Sequence, residues 1–366
     1  MTGLHHLVLG PPGHGVVRYA ELLLAAAGVP DLRVLRVPRR IGADDVAALL
    51  AGLAKMDDDA PTTTRAPARV HVHVTDHLLG RSPEQALQVV QALARRGPVS
   101  LTLHDLPQPS DGTPATRRRD CYAGLVEAAI GVVVSSDHEA ALLHDVARTG
   151  AGTRARRTPV RVVPLAVPPD DRADDRADDR ADDRAADPPS RSWVGRQVAV
   201  LGWVYPGKGH AEVLAALDGL PADVGLRVLG GASPGHDDLL VDLAADARGR
   251  GRALQVDGWI VDDALPSLLR RVAVPVFAPR HVSASASLTA WASAGRRPVT
   301  RRSAYTEEVH RRAPGALVLV DDDPAALAEG IRVALADPGL TRLDPTVVPG
   351  PAPAQAARLS FAGWGP

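Results

Sequence analysis

The sequence predicts an α/β protein built from two doubly wound parallel sheets, each with helices on both faces. Three observations carry this. Short runs that are apolar on both faces alternate along the chain with helical stretches, the pattern of parallel strands covered on both sides. Several of these runs end on glycine, as in Leu229-Gly-Gly231, where a strand gives way to a loop. The length of 366 residues exceeds what one core normally sustains (about 250–300 residues), so the chain divides into two domains.

The first half reads in order as follows. Residues 4–10 form a strand and 11–15 a Gly/Pro loop; 16–27 form a helix ended by Gly28 and Pro30. A strand at 32–38, a helix at 44–53 and a polar loop at 57–64 come next. Residues 70–74 are strand-like, 82–96 form a helix opened by Ser82-Pro83, and the strand 99–104 runs into Asp105-Leu-Pro107. Helix 117–129, strand 131–134, helix 136–146 and strand 160–167 close this half. Right-handed crossovers then make it a Rossmann-like domain, bounded at 1–168.

From Asp170 the tetrad Asp-Asp-Arg-Ala occurs four times, ending at Ala185. Each unit has almost nothing to bury and cannot offset its ordering entropy, so 169–192 reads as a solvated linker and not as a metal site. The second half repeats the α/β grammar over 193–340. Its strands are 197–202, 226–231, 254–259, 274–278, 298–301 and 316–321. Its helices are 210–217, 236–249, 263–271, 285–294, 305–311 and 324–336. The Pro/Ala-rich stretch 341–366 is expected to be a loose tail or a last segment folded back on a domain.

Composition narrows the function classes. A net charge of −1 gives no global field for nucleic acid or anionic membrane, and 3% aromatic residues argue against stacking platforms for single strands. The single cysteine, Cys121, excludes an intrachain disulfide framework and a cysteine zinc site. No secretory pattern opens the chain, and no run reaches the ~18 apolar residues of a membrane span, so a soluble, cytoplasmic protein is expected. Peripheral membrane contact stays open.

One loop stands out chemically. In Val198-Ala-Val-Leu-Gly-Trp-Val-Tyr-Pro-Gly-Lys-Gly-His210 an apolar strand enters a Gly/Pro loop, a lysine sits between two glycines, and a helix follows. Glycines let the backbone approach an anion, the helix start offers N–H groups, and lysine adds a compact charge. Lysine occurs only here and at Lys55, in a chain that otherwise uses arginine. The alternative is an ordinary loop with an exposed lysine. Elsewhere, His71 and His73 share one strand face and could ligate a metal, but only Asp76 and His77 stand near them in sequence, which favours a structural role. Gly10-Pro-Pro-Gly-His-Gly15 departs from the dinucleotide fingerprint, and Ser135-Ser136 lacks the context of an esterase nucleophile. Glu307-Glu308 reads as a solvated helix start.

The order and spacing of these segments resemble the GT-B glycosyltransferases, and within them the GT4-like retaining family (glycosyl transferases group 1). Leu201-Gly-Trp-Val-Tyr-Pro-Gly-Lys-Gly-His210 resembles the family's donor-diphosphate segment. Leu103-His-Asp-Leu-Pro107 resembles its strand-end His-Asp segment, Val133-Val-Ser-Ser136 with Glu139 its strand-to-helix turn, and Val163-Pro-Leu-Ala-Val167 its exit into the linker. Leu229-Gly-Gly231 and Val256-Asp-Gly-Trp259 resemble strand ends before the base pocket, and Ala294-Gly-Arg-Arg-Pro-Val299 the turn after the donor-site helix. Roughly residues 4–335 are covered.

The resemblance implies a metal-independent transferase using a nucleotide sugar, with two Rossmann-like domains facing a cleft and no cofactor beyond that donor. The acceptor would be a glycan, lipid or small molecule. The resemblance implies donor contacts at Gly202, Lys208, Gly209, Gly230, Gly231, Ser283, Ser285 and Ser287. It puts His104 near the sugar or acceptor as the candidate catalytic residue, and Gly13, His14 and Gly15 on the acceptor side. Two departures matter. Trp203 stands where the family has an arginine, and the paired glutamates expected near Val282 or Ser283 and near Ala290 are absent. An impaired homologue that binds without transfer, or a GT-B epimerase or phosphorylase, are the alternatives.

Overall fold

A computed structural model of the chain describes residues 3–29, 31–59, 68–76, 78–108, 115–149, 157–169 and 196–364. The acidic tetrads at 170–185, and His77, lie outside the described residues. The chain forms two compact units, Met1–Ala166 with Pro351–Pro366, and Val167–Gly350.

The first unit runs β1 (Leu4–Leu9), α1 (Gly15–Ala26), β2 (Leu32–Val37), α2 (Val46–Asp58), β3 (Arg69–Val74), α3 (Pro83–Arg96), β4 (Val99–Leu103), α4 (Ala115–Ala128), β5 (Gly131–Val134), α5 (Asp137–Thr149) and β6 (Val160–Val162). Its strands are parallel, in the order β2-β1-β3-β4-β5-β6. The inner strands β1, β4 and β5 are buried along their whole length, which is why they read as continuous apolar runs and not as alternation. The order reverses between β1 and β3, and such a switch point opens a crevice at the carboxyl ends of the strands.

Residues 351–366 belong to this unit. Their helix α12 (Pro353–Phe361) buries Ala356, Ala357 and Phe361 in a cluster with Leu23 and Ala27 of the α1 segment. Arginines hold its end: Arg69 donates to the carbonyls of Phe361 and Ala362, and Arg161 donates to that of Leu359 while lying 4.3 Å over the Trp364 ring. Cations at carbonyls left open by a helix C-terminus are the favourable arrangement.

The second unit runs β7 (Arg196–Leu201), α6 (His210–Ala215), β8 (Val224–Leu229), α7 (Asp237–Gly249), β9 (Leu254–Val256), α8 (Leu265–Arg271), β10 (Val274–Phe277), α9 (Ala286–Ser293), β11 (Val299–Arg301), α10 (Ala304–Arg312), β12 (Val318–Val320) and α11 (Pro324–Ala336). Its parallel order is β12-β11-β10-β7-β8-β9, so the switch point lies between β7 and β10. Side-chain caps start the helices where the sequence offers them: Ser285 for α9, Asp323 for α11, and a Ser303/Thr306 capping box for α10. β9 stops at Val256, short of the expected 259, because Gly258 takes a φ of 69° and turns the chain away. Among the described residues no helix is long and apolar enough to cross a membrane.

Candidate functional site

In the second unit the sequence-singled loop stands at the switch point. β7 ends at Leu201, and its pairing with β8 resumes beyond Gly202, where Val204 bridges to Ala232 and the Val204 amide donates to the Gly231 carbonyl. Between these ties the chain folds back, with the Lys208 amide on the Tyr205 carbonyl and the Arg280 amide on the Gly207 carbonyl. Gly209 opens α6 in the left-handed region, and a Cβ there would run into the Ala278 carbonyl. One at Gly230 would run into the Gly202 carbonyl. Both glycines therefore serve close backbone approach.

This packing turns the Lys208 side chain inward. Its ammonium donates to Ser287 Oγ at 3.3 Å, and Ser287 Oγ donates to the Leu201 carbonyl at 3.1 Å. The rings of Tyr205 and Phe277 lie 5.8 and 5.6 Å from the ammonium, within cation–π range. Only 6% of Lys208 is exposed, and among the described residues no carboxylate pairs with it. Burial lowers its pKa from 10.5 to about 8. The structure thus brings together Gly202, Lys208, Gly209, Gly230 and Ser287.

Ser285 and Ser283 occupy the same β10–α9 connection, both buried. The Ser285 hydroxyl caps α9 by accepting from the Leu288 amide, and its own amide donates to the Tyr305 hydroxyl of α10. Gly231 borders the Trp203 ring, which stands 6.1 Å from that of Trp259. These two indoles are 45% and 56% exposed, an open aromatic pair at the ends of β7 and β9. Of the positions where the resemblance seeks glutamates, Val282 packs against a cluster holding Phe277 and Leu288 and Ala290 against one holding Leu201 and Trp291, while Ser283, the alternative to Val282, is buried and uncharged. Sequence reasoning passed over His210. It is buried beside Lys208 with neither ring nitrogen partnered, and burial, then the Lys208 charge, lowers its pKa to about 3.

The first unit carries a second cluster at its own switch point. His14 caps α1 through Nδ1, which accepts from the Val16 amide at 3.2 Å; Gly13 and Gly15 flank it, exposed. His104 follows β4, its amide on the Val74 carbonyl and its carbonyl accepting from the Tyr122 hydroxyl at 2.6 Å. Burial above all lowers its pKa to about 4, with Asp105 opposing and the His14 charge adding to the drop, so His14 and His104 are electrostatic neighbours.

Behind His104 lie histidines that the sequence did not connect with it. His73 Nδ1 stands 3.1 Å from His104 Nε2, and the His6 and His71 rings pack against His73 with centroids 5.2 and 5.4 Å away. Both nitrogens of His71 are engaged by the β4 hydroxyls of Ser100 (2.9 Å) and Thr102 (3.0 Å). Among the described residues no three His, Cys, Asp or Glu side chains could hold a metal ion. The order β1-β3-β4 makes neighbours of His6, His71 and His73 and of His104, which follows β4, and no spacing within one strand signals that.

The strand-to-helix turn at Ser135-Ser136 is a cap. Ser136 Oγ accepts from the Glu139 amide at 2.9 Å and Glu139 accepts from the Ser135 amide at 2.7 Å. Asp76 is buried in a bidentate pair with Arg118.

No protein-family model matches the chain, and no curated protein matches it in sequence. Solved structures do. HepE from Anabaena, in complex with UDP and glucose, is similar with a TM-score of 0.67 and 14% identity over 99% of this chain and 96% of that one. Sucrose-phosphate synthase from Thermosynechococcus elongatus gives 0.64 and 18% over 99% and 95%. A UDP-forming trehalose-phosphate synthase from Burkholderia xenovorans, in complex with glucose-6-phosphate, gives 0.61 and 13% over 98% and 96%. At these identities the likeness is one of fold, and the fold is GT-B: two Rossmann-like parallel sheets in one chain.

Proposed function

We propose that the protein is a retaining, metal-independent glycosyltransferase that moves a sugar from a nucleotide-sugar donor to an acceptor hydroxyl. The observation that carries this reading is Lys208, a buried ammonium with no carboxylate partner among the described residues, at the switch point of a parallel sheet. Burying an uncompensated charge is unfavourable in the empty protein. A diphosphate supplies the missing charge. As the sugar–oxygen bond breaks, negative charge develops on the leaving nucleoside diphosphate, and Lys208 with the N–H groups around Gly207 and Gly209 stabilises it without reorganising. Ser283, Ser285 and Ser287 supply hydroxyls to phosphate or sugar oxygens. Gly230 and Gly231 leave room for the nucleoside. In the first unit His104 serves the sugar, and Gly13, His14 and Gly15 the acceptor. The HepE complexes with UDP and with UDP-glucose make UDP-glucose the first donor to test.

A second reading has its own support. None of Val282, Ser283 and Ala290 is acidic where the resembling family carries glutamates, which favours a homologue that binds a nucleotide sugar without transferring it. Binding and turnover of UDP-, GDP- and ADP-sugars by wild type and Lys208→Ala separate the two. Free sugar or glycosylated acceptor from the wild type supports the enzyme. Binding lost in the variant, with no turnover in either, supports the binder. No binding to any donor contradicts both.

A further inference from the structure

We propose that His73 is a positioning residue: its Nδ1–H donates to Nε2 of His104 and holds His104 as the Nδ1–H tautomer, so that His104 offers an N–H donor, not a lone pair, to a sugar hydroxyl. The role toward sugar rests on the function proposed above; the tautomer does not.

The geometry is that of a directed bond. The nitrogens are 3.1 Å apart, the ring planes differ by 20° and the centroids by 5.3 Å. The rings therefore meet edge to edge, and the contact lies in the ring planes, where N–H bonds and lone pairs point. One nitrogen must donate and the other accept. If His104 donated, His73 would carry its proton on Nε2, which is buried and without a partner. If His73 donates, that enclosed position holds a lone pair. An orphaned buried donor is the rarer of the two in folded proteins, so the second arrangement is selected.

The rest of the cluster keeps this assignment in place. His73 is held between His6 and His104, with the rings of His71 and Tyr19 set against it at 79° and 69°. Burial, His6, His104 and His71 all lower its pKa well below 6.5, so a neutral ring with a single N–H is the state at neutral pH. His104 is neutral there as well. Its Nδ1 is not among the enclosed, unpartnered nitrogens, unlike Nε2 of His73. A neutral imidazole with Nδ1–H can hydrogen-bond a hydroxyl oxygen but cannot take its proton through that atom.

The test uses the full chain labelled with ¹⁵N-histidine at pH 7, read by long-range ¹H–¹⁵N correlation. His104 is expected to show a protonated Nδ1 and an unprotonated Nε2; the reverse pattern in the wild type overturns the assignment without any variant. His73→Asn keeps an amide N–H near the Nδ1 position and is expected to retain the pattern and donor binding. His73→Leu removes the donor, so the unprotonated Nε2 of His104 is expected to shift to the resonance of a lone pair without a hydrogen bond, with binding weakened about tenfold, the worth of one hydrogen bond. An unchanged His104 Nε2 resonance in His73→Leu also overturns the proposal. Failure of every nucleotide sugar to bind, with the expected spectrum intact, counts against the proposed function and leaves the tautomer assignment standing.

Discussion

The Lys208 ammonium donates to Ser287 Oγ, and Ser287 Oγ donates to the carbonyl of Leu201, so one chain of bonds ties the glycine loop, the start of α9 and the end of β7. This relationship places a cation beneath glycine backbone at the switch point. It also leaves that cation short of negative charge, which gives the site a definite pH behaviour.

Donor binding should weaken as pH rises through about 8, where Lys208 loses its proton in the empty protein. A bound diphosphate favours the charged form, so binding near pH 8 should take up protons from the buffer. Stability runs the other way. Below about 8 both folded and unfolded chains hold the proton and the full burial penalty applies. Between about 8 and 10.5 the unfolded chain binds more protons, so Lys208 makes stability rise with pH. Calorimetry in buffers of different ionisation enthalpy measures the proton uptake; no uptake between pH 8 and 9 contradicts the assignment.

Acid should destabilise the first unit through its histidines. His6 titrates near 3 and His104 near 4, while His71 and His73 lie well below 6.5, in each case because burial disfavours the charged ring; the Arg36 charge adds to this at His6. Their lowered values leave stability intact above pH 6.5. As pH falls from 6.5 toward 3–4, the unfolded chain binds protons that the fold refuses, and each such histidine removes about 1.4 kcal/mol per pH unit. His6 has no hydrogen-bond partner at either ring nitrogen and packs edge-on to Phe361. His6→Phe should therefore flatten the slope of stability against pH in urea titrations between 4 and 6.5, and an unchanged slope contradicts this.

Arg296 should be a stability residue. Its buried guanidinium donates to the carbonyls of Leu269, Arg270, Val272, Ala273 and Thr341 and to the Thr341 hydroxyl, gathering the end of α8 and the segment after α11. Arg296→Met leaves those carbonyls in an enclosed site with fewer donors. A loss of about 2–4 kcal/mol in urea unfolding is expected, with donor affinity in the folded fraction unchanged. A loss below about 0.5 kcal/mol is the range of ordinary surface substitutions and contradicts the role.

Trp203 and Trp259 should report ligand binding. Both indoles are open to solvent, Trp203 beside Gly231, so a nucleotide that reaches the ends of β7 and β9 alters their emission. Tryptophan fluorescence during a UDP titration should change in the wild type, with the change about halved in Trp203→Phe. An identical signal in that variant places the nucleotide elsewhere.

Much of this was legible in the sequence, for physical reasons. Inner strands buried on both faces leave apolar runs that need no partner to be recognised, while the half-covered β6 and β9 were read too long, to 167 and 259. Lys208 was legible because glycines mark where backbone must approach something. Two things were not. Residues 351–366 carry no sign of the unit they join, because α12 docks through small residues, Ala356 and Ala357, whose partners lie more than three hundred positions away. The histidine cluster depends on β1, β3 and β4 lying side by side in register, His6 opposite His71, which spacing along one strand does not reveal.

The central claim is that Lys208 is the seat of a nucleoside diphosphate, and Lys208→Met tests it most directly because the two consequences have opposite signs. UDP affinity, measured by calorimetry at pH 7, should fall about 10–100-fold on loss of a buried charge-assisted bond. The melting temperature of the ligand-free protein should hold or rise, because an unpaired buried charge is gone. A variant that binds UDP as tightly as the wild type contradicts the claim, and so does one whose ligand-free form melts several degrees lower.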